Sequence, residues 1–471
     1  MRNQALSTRR RALDDKECWA GPAAPPSQFT CSYLAPSAKH RAPSKPSHYS
    51  KLTIRLTFAL AIAACSRGSS SPRVDTVASG ACAAQDASLT LPPGFCASIF
   101  ADDIGPARHA VVAPNGDVFV TLQGGSATVV AMRDTNRDGK ADSVVRIGSG
   151  GGGTGIGLSG GYLYVDQGNR IVRYPLPEGE LRPSGASEVV VSGLPTGGHD
   201  ARNFAIDPHG NLFVNIGSRT NSCQQSDRTA GSTGIDPCAE LATRAGIWRF
   251  SANATGQTFS EANRYATGLR NSEGLAIAPD GSLWAVPHGR DQLHDNWPKL
   301  FDAKYSADNP GEELVQVDQG DDFGWPYCYY ALGAQNLVLA PEYGGDGTKT
   351  TRCDQKKNAV TALPAHWAPM SLLFYTGKSF PEKYRNGAFI AFHGSWNRSP
   401  EPQAGFNVAF VPFANNRPSG PYETFADGFA GGKVDPNGAA HRPVGLAQGP
   451  AGELYITDDK GGRVWRVVAT R

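Results

Sequence analysis

A short pattern of turn residues followed by apolar residues recurs six times along this chain. Each copy begins with a tight turn rich in Gly and Asn or Asp, usually of the Pro-x-Gly type, and continues into a strand of Val, Phe, Tyr, Ile and Leu. The copies start at positions 113, 158, 207, 278, 384 and 449. Most of them adjoin a second apolar strand, such as those at 170–174 and 463–467. The chain is therefore built from repeated β units.

The number and spacing of the copies predict an all-β fold, a six-bladed β-propeller with inserted loops. The shortest spacings, 45 residues from 113 to 158 and 49 residues from 158 to 207, match a blade of four strands. The longer spacings imply insertions, of which the largest covers about 288–380. Closure of six blades into a ring removes exposed sheet edges, whereas an open β-sandwich array is the alternative arrangement of the same strands.

Composition narrows the choice of fold and partner. The chain contains 55 Gly and 34 Pro among 471 residues, which excludes a helical bundle, a coiled coil and a helical solenoid. A net charge of +2 argues against a dedicated nucleic-acid binder. Residues 1–64 hold ten basic and three acidic groups, whereas the other residues hold 35 basic and 40 acidic groups. The body of the chain is therefore mildly acidic, and the basic character belongs to the leader.

The leader resembles a bacterial export signal. Residues 51–64 combine a basic stretch with a short apolar run and small residues before Cys65. This arrangement is similar to a lipoprotein box, in which Cys65 is lipidated, and an ordinary signal peptide is the alternative. Residues 1–50 are predicted to be disordered or to precede the true start codon. Residues 65–85 are expected to form a tether, and 86–471 the propeller, in an exported, periplasmic protein attached to a membrane only by its lipid anchor.

Six cysteines beyond the leader cluster into three local pairs. The clustering favours disulfides between Cys82 and Cys96, Cys223 and Cys238, and Cys328 and Cys353. Such disulfides are typical of an oxidising compartment, which agrees with export. The spacings that structural zinc sites require are missing from the sequence.

One loop has the pattern of a cation site. Oxygen-bearing side chains alternate at Asp134, Asn136 and Asp138, and Asp142 follows, with a glycine at the sixth position. This pattern suits calcium, although Val145 replaces the glutamate that completes an EF-hand loop. A solvated hairpin turn is the alternative. If calcium binds there, a structural role is expected.

Three clusters place a cation or an imidazole just before a repeated strand. They contain His199 in 197–203, Arg270 in 268–275 and Arg442 in 441–447. Equivalent points of the blades converge around a propeller axis, so these side chains are predicted to line one pocket. Two guanidiniums favour a planar polyanion, and a histidine beside them could act as a general base. Taken singly, each residue could instead be a structural or surface group.

Several longer motifs carry a resemblance to a known family. They are Gly268–Ala276, Gly311–Leu314, Asp322–Pro326, Phe392–Arg398 and Arg442–Ala447. Together these motifs resemble the soluble quinoprotein sugar dehydrogenases, in particular the sorbosone dehydrogenase-like branch. The resemblance extends from about Leu91 to the C-terminus. It implies a six-bladed propeller that binds pyrroloquinoline quinone (PQQ) and calcium and oxidises a sugar or an aldehyde.

The resemblance also implies residue roles. His199 matches the general base that accepts the substrate hydroxyl proton while a hydride passes to the quinone. Arg270 and Asn271 match the pair beside the quinone oxygens, with Arg270 stabilising developing negative charge. Arg442 matches a cation that binds a cofactor carboxylate. The main chain at Gly289 and Arg290 aligns with ligands of the cofactor calcium.

Three departures from the glucose-oxidising members stand out. The glutamine expected near Gly153 is missing. The carboxylate expected to orient the histidine is also missing, because its position falls near Ser218, and Asp200 is the candidate to replace it. The expected lysine falls within Trp396–Arg398, which makes Arg398 the candidate to replace it.

The sequence thus predicts a PQQ- and calcium-dependent dehydrogenase of a sugar or sugar-derived aldehyde. It would deliver electrons to a periplasmic acceptor that the sequence does not identify. Two alternatives remain: a calcium-dependent lactonase-type propeller hydrolase, and a non-catalytic propeller that binds a partner or a glycan.

Overall fold

Each repeated motif forms the first turn and the second strand of a separate antiparallel sheet. The computed structural model of the chain describes residues 87–470. Its six small sheets form an all-β, six-bladed propeller, which confirms the predicted fold class.

The strands follow the blades in chain order, except that β1 (Phe95–Ala101) belongs to the last blade. Blade one contains β2 (Ala107–Val112), β3 (Val118–Leu122), β4 (Val129–Arg133) and β5 (Ser143–Ile147). Blade two contains β6 (Ile156–Ser159), β7 (Tyr162–Asp166), β8 (Ile171–Pro175) and β9 (Glu188–Ser192). Blade three contains β10 (Phe204–Ile206), β11 (Asn211–Ile216), β12 (Gly246–Ser251) and β14 (Arg264–Thr267), and its short strand β13 (Gln257–Thr258) pairs with β9.

The second half of the ring is more elaborate. Blade four contains β15 (Gly274–Ile277), β16 (Leu283–Val286), β17 (Glu312–Val317) and β20 (Thr361–Leu363). Its insertions carry α1 (Leu293–Asn296), α2 (Ala303–Asp308) and the hairpin of β18 (Cys328–Ala331) and β19 (Asn336–Leu339). Blade five contains β21 (Pro369–Phe374), β22 (Gly387–Phe392), β23 (Asn407–Ala414), β24 (Arg417–Pro418) and β25 (Glu423–Ala426). Blade six joins β26 (Pro443–Gln448), β27 (Leu454–Asp458) and β28 (Val464–Ala469) to β1. Short 3-10 helices lie at Ala239–Ala242, Glu261–Asn263, Pro341–Tyr343, Thr351–Gln355 and Glu382–Tyr384.

The repeated strands are apolar on both sides because each blade packs between two neighbours. All residues of β3 and of β22 are buried. A sheet covered on both faces takes continuous apolar runs, which is why the repeats do not all alternate strictly. Trp248, Trp284 and Trp465 are fully buried in three of the clusters between blades.

The repeated turn depends on glycine. In blade one the Ala113 N–H donates to Asp117 O at 2.8 Å, and Gly116 has a φ of +96°. The same turn in blade three has Gly210 at a φ of +81°. This left-handed backbone region favours glycine, which is why a glycine recurs at this position of the repeated motif.

The ring closes by pairing of the two ends of the described chain. Strand β1 is antiparallel to β28, with Phe95 opposite Ala469. The Thr470 N–H also donates to Gly94 O at 2.8 Å. The first strands of the blades (β2, β6, β10, β15, β21 and β26) are neighbours around the axis.

Two of the predicted disulfides form in the insertions. Cys223 pairs with Cys238 and Cys328 pairs with Cys353. Both bonds belong to one apolar cluster that includes Trp325. The cluster lies behind the loops that carry several candidate site residues.

Other predictions concern parts of the chain outside the described residues. These are the leader 1–50, the export signal 51–64, the tether 65–85 with Cys65, and Cys82. The pairing of Cys82 with Cys96 therefore stays a prediction. Within residues 87–470, no helix has the length and apolar character needed to cross a membrane.

Candidate active site

The loops with the predicted residues meet at one end of the propeller. Neighbouring strands of a blade run in opposite directions. The residues before each first strand and the residues after each second strand therefore lie at the same end of the propeller. His199 precedes β10, Arg270 precedes β15, and Asn397 follows β22. Such loops line a cleft of about 180 Å³, formed by His199, Arg228, Arg270, His288, Gly289, Asp291, Glu312, His366, Ala368, Trp396 and Asn397.

A buried ion pair between Arg270 and Asp291 lines the cleft. The Arg270 Nη2 lies 2.8 Å from Asp291 Oδ2, and the Arg228 Nη2 lies 2.9 Å from the same oxygen. The Asn397 Nδ2 donates to Asp291 Oδ1 at 2.7 Å. Burial raises the pKa of Asp291, but the Arg270 and Arg228 guanidiniums lower it further, to about 2. Asp291 is therefore a carboxylate at neutral pH.

Asn221 holds the two partners of this ion pair together. Its Oδ1 accepts hydrogen bonds from Arg270 Nη2 at 3.1 Å and from the Asp291 N–H at 2.8 Å. Its backbone carbonyl accepts from Arg270 Nε at 3.2 Å, and its Nδ2 donates to Asp291 O at 3.0 Å. The Trp325 Nε1 donates to the Asn221 carbonyl at 2.9 Å. Asn221 therefore fixes the plane of the Arg270 guanidinium.

The Arg270 guanidinium has few donors left. Its Nη1 donates to Gly289 O at 2.9 Å, in addition to its bonds with Asn221 and Asp291. Arginine has five N–H groups, and partners within residues 87–470 account for four of them. The remaining Nη1–H is the donor that Arg270 can offer to a ligand in the cleft.

Glu312 ties the Gly289 loop to blade five. Its Oε2 accepts from the Gly289 N–H at 2.8 Å, and its Oε1 accepts from the Ala368 N–H at 3.1 Å. The His288 Nε2 lies 2.9 Å from Pro369 O. These bonds fix one wall of the cleft by main-chain contacts.

His199 presents an unprotonated ring nitrogen. Its Nδ1 lies 2.9 Å from Ser218 O and 3.0 Å from Ser218 Oγ. The carbonyl can only accept, and the Ser218 hydroxyl donates to Thr220 O, so Nδ1 carries the proton and Nε2 keeps its lone pair. Burial lowers the pKa of His199, and Arg270 lowers it further, to about 3.

Ser218 takes the place of the carboxylate expected to orient the histidine. Asp200, the candidate to replace that carboxylate, is exposed, and its Oδ1 lies 3.2 Å from Arg202 Nη2. A neutral carbonyl and hydroxyl orient the His199 ring without adding a negative charge beside it.

The predicted role of Arg398 requires a correction. Trp396 and Asn397 line the cleft, whereas the Arg398 guanidinium donates to the carbonyls of Pro402 and Ala307. Residues 396 and 397 form a bend. Trp396 and Asn397 are therefore the residues of this motif that reach the cleft, and the partner of Asn397 there is Asp291.

Asn271 and Arg442 lie outside the residues that line the cleft. Asn271 is 2% exposed, and its Oδ1 accepts from Asn215 Nδ2 at 2.9 Å. The Arg442 Nε donates to His393 O at 2.9 Å, and its Nη2 donates to Gly394 O at 2.8 Å. Arg442 thus supports the segment that leads to Trp396. The predicted pocket brings together His199 and Arg270, with Arg442 behind its wall.

A second charged cluster, which was not predicted from the sequence, connects loops of different blades. The Arg108 guanidinium lies 2.6 Å from Glu273 Oε2 and 2.8 Å from Asp459 Oδ2. The His393 Nε2 lies 2.9 Å from Asp459 Oδ1. Arg108 lies at the start of β2 and Asp459 follows β27. These are the blade positions that carry the predicted residues, so the same register argument could have found them.

The cofactor calcium is predicted to bind main-chain oxygens at Gly289 and Arg290. No group of three or more His, Cys, Asp or Glu side chains suited to a metal occurs within residues 87–470. The Gly289 carbonyl accepts from the Arg270 guanidinium. Arg290 is 3% exposed and its guanidinium pairs with Glu342.

The loop predicted to hold a structural calcium is the hairpin turn between β4 and β5. Asp134 Oδ2 accepts from the Gly139 N–H at 2.8 Å, and Asn136 Oδ1 accepts from the Asp138 N–H at 2.9 Å. Asp142 accepts from the Thr135 hydroxyl at 2.6 Å. These oxygens are therefore engaged by groups of the loop itself, and calcium binding there stays a prediction.

Comparison with known proteins adds the family. A family model described as TrAA12-like matches residues 89–470. The chain is 29% identical over 272 residues to an uncharacterised protein of Borreliella burgdorferi, which covers 57% of this chain and 60% of that protein. It is 26% identical over 236 residues to a pyrroloquinoline quinone-dependent pyranose dehydrogenase of Coprinopsis cinerea, covering 42% of this chain and 30% of that protein. These alignments span less than two thirds of either relative.

Solved structures share the fold. A Trichoderma reesei carbohydrate-active enzyme of family AA12 superposes with a TM-score of 0.67 at 19% identity, covering 81% of this chain and 98% of that one. The holo form of the PQQ domain of pyranose dehydrogenase from Coprinopsis cinerea superposes with a TM-score of 0.65 at 18% identity, covering 81% and 97%.

Proposed function

The chain belongs to the TrAA12-like family, and we propose that it is a PQQ-dependent oxidoreductase that oxidises a sugar or a sugar-derived aldehyde. The observation that carries the proposal is the His199 Nε2 lone pair in one cleft with the charged pair of Arg270 and Asp291. Following the resemblance to the sorbosone dehydrogenase branch, aldoses and sorbosone are the first substrates to test.

The residues of the cleft fit a planar polyanionic cofactor. Arg270 and Arg228 supply guanidiniums, and the indole of Trp396 is 51% exposed, which offers a flat surface to an aromatic ring. Bound PQQ would supply the two-electron acceptor for the reaction.

His199 would act as the general base. Its Nε2 accepts the proton of the substrate hydroxyl, while the Nδ1–H stays bound to Ser218 O and holds the ring in place. Because burial and the neighbouring Arg270 lower the pKa of His199, its Nε2 is unprotonated at neutral pH.

Arg270 would stabilise negative charge that develops during oxidation. Asn221, Asp291 and Gly289 fix its guanidinium before any ligand binds, so its remaining N–H needs no reorganisation. Preorganised donors of this kind contribute about 3–4 kcal/mol to transition-state stabilisation in other enzymes.

The residues present do not fit a cofactor calcium at Gly289 and Arg290. Calcium takes six to eight oxygen ligands, whereas the Gly289 carbonyl already accepts from a guanidinium. A second cation there would meet the charge of Arg270. The chemistry above therefore uses no calcium.

We also propose export and lipid attachment through Cys65, with electrons passing to a periplasmic acceptor. The two disulfides of the insertions support an oxidising compartment. Cys65→Ala should release the protein from the membrane fraction of cells. Unchanged partitioning would rule out the lipid anchor.

The main test uses the full chain with and without PQQ. We expect a change in the quinone absorbance on binding and dye reduction with at least one aldose or with sorbosone. His199→Ala should lower dye reduction about 100-fold or more and leave quinone binding intact, whereas His209→Ala, in an exposed turn, should change neither. No absorbance change and no dye reduction would refute the proposal. Lactone hydrolysis without PQQ would replace it by a hydrolase.

A further inference from the structure

A second, larger depression lies beside the cleft. It has a volume of about 970 Å³ and is formed by α2, the turn of the β18–β19 hairpin and the segments 364–367 and 398–404. We name it the side groove. Its residues have no part in the chemistry proposed above.

The wall between the side groove and the cleft is one side chain thick. Along the segment 364–368, Ala365 and Trp367 line the side groove, whereas His366 and Ala368 line the cleft. The His366 Nε2 lies 2.7 Å from Ser306 O in α2, and its Nδ1 lies 3.3 Å from Nδ2 of Asn397, which lines the cleft.

A second segment also contributes residues to both depressions. Trp396 and Asn397 line the cleft, and Arg398 lines the side groove. A ligand that extends beyond the cleft over this wall would enter the side groove directly. The two depressions are therefore arranged as neighbouring subsites.

The lining of the side groove suits neutral, hydroxylated rings. Tyr305 and Trp367 are partly exposed aromatic rings, and Trp367 is held by edge contacts with Phe392 and Tyr422. Aromatic faces carry negative charge that attracts the C–H groups of a sugar ring.

The charges of the side groove balance. Lys304 pairs with Asp308 at 2.6 Å, and Arg398 lies 3.5 Å from the same carboxylate. Asp302 supplies a second carboxylate. With two cations and two anions in the lining, the side groove favours a neutral polar ligand over a nucleotide or an acidic peptide.

From the thin wall, the aromatic surfaces and the balanced charge, we infer that the side groove binds further sugar units of an oligosaccharide whose terminal unit occupies the cleft. This inference rests on the proposed function and refines it, because it names a chain end as the preferred substrate class. Contacts with additional units add affinity that a monosaccharide cannot gain.

The test measures binding without PQQ or dye, so that its result does not depend on dehydrogenase activity. Cellotetraose, maltotetraose and xylotetraose are titrated calorimetrically into the full chain and compared with glucose and xylose. At least one tetraose should bind about tenfold more tightly than its monosaccharide. Equal affinities for all pairs would overturn the inference, even in a protein that reduces dye with monosaccharides.

Two variants place the binding in the side groove. Ala334→Trp on the exposed hairpin turn and Thr348→Trp, also exposed, each add bulk to its lining. Each should weaken tetraose binding about tenfold and leave monosaccharide binding unchanged. Lys299→Trp, which is exposed and lines neither depression, is the matched control. Unchanged tetraose affinity in both groove variants would contradict the assignment.

Discussion

Replacing Asp291 by Asn tests whether the buried ion pair of the cleft stabilises the fold. The carboxylate contacts Arg270, Arg228 and Asn397. An amide of the same shape keeps the packing but removes the negative charge. The two guanidiniums then lie together without a counter-ion.

The magnitude follows from the pKa of Asp291. Burial raises this pKa, but the two guanidiniums lower it from 3.8 to about 2. This lowering of the pKa corresponds to about 2 kcal/mol of folding free energy at neutral pH. Because the folded-state pKa is the lower one, this stabilisation is complete above about pH 5, falls to about half near pH 3 and is nearly lost near pH 2.

Urea unfolding at several pH values measures the effect. Asp291→Asn should lower the free energy of unfolding by about 2 kcal/mol at pH 7, and the difference from the natural chain should shrink as the pH falls toward 3. Asp295→Asn, an exposed residue in α1, is the matched control and should change little. A difference that stays constant from pH 7 to pH 3, or a variant as stable as the natural chain, would refute the reasoning.

Three further predictions address other parts of the molecule. Because the pKa of His199 is about 3, the profile of kcat/KM between pH 5 and 8 should show no limb from this group; an ionisation near pH 6.5 that His199→Gln removes would contradict it. Gly153→Ala should lower the melting temperature, since its Cβ would lie 1.7 Å from Asp166 Oδ2, whereas Gly333→Ala meets no atom within 4 Å; equal melting temperatures would oppose this. Replacing the Cys328–Cys353 pair by serines should cost about 3.5 kcal/mol for its loop of 25 residues, measured by denaturant unfolding, and a loss below about 1 kcal/mol would argue against it.

The sequence is informative where local chemistry decides the structure. The turn at Gly116 needs a left-handed backbone, and its glycine therefore marks the repeat in the sequence. His199 and Arg270 each precede the first strand of a blade, and this shared position places both in one cleft. The fold class and this part of the candidate site were predictable for that reason.

The remaining site residues depend on tertiary contacts. Asn221 and Arg228 come from the insertion around the Cys223–Cys238 disulfide, and no local pattern indicates that they reach Arg270. The motif does not reveal which of Trp396, Asn397 and Arg398 reaches the cleft, because the bend at residues 396–397 sets the direction of each side chain.

The pairing of β1 with β28 has a consequence for biosynthesis. Roughly 360 residues lie between these strands in the sequence, and ribosomes add ~5–20 residues per second. Strand β1 therefore waits roughly 20–70 s for its partner at these rates. During that interval its edge is open to pairing with other chains, so the time before ring closure is when this protein is most exposed to aggregation and most dependent on chaperones.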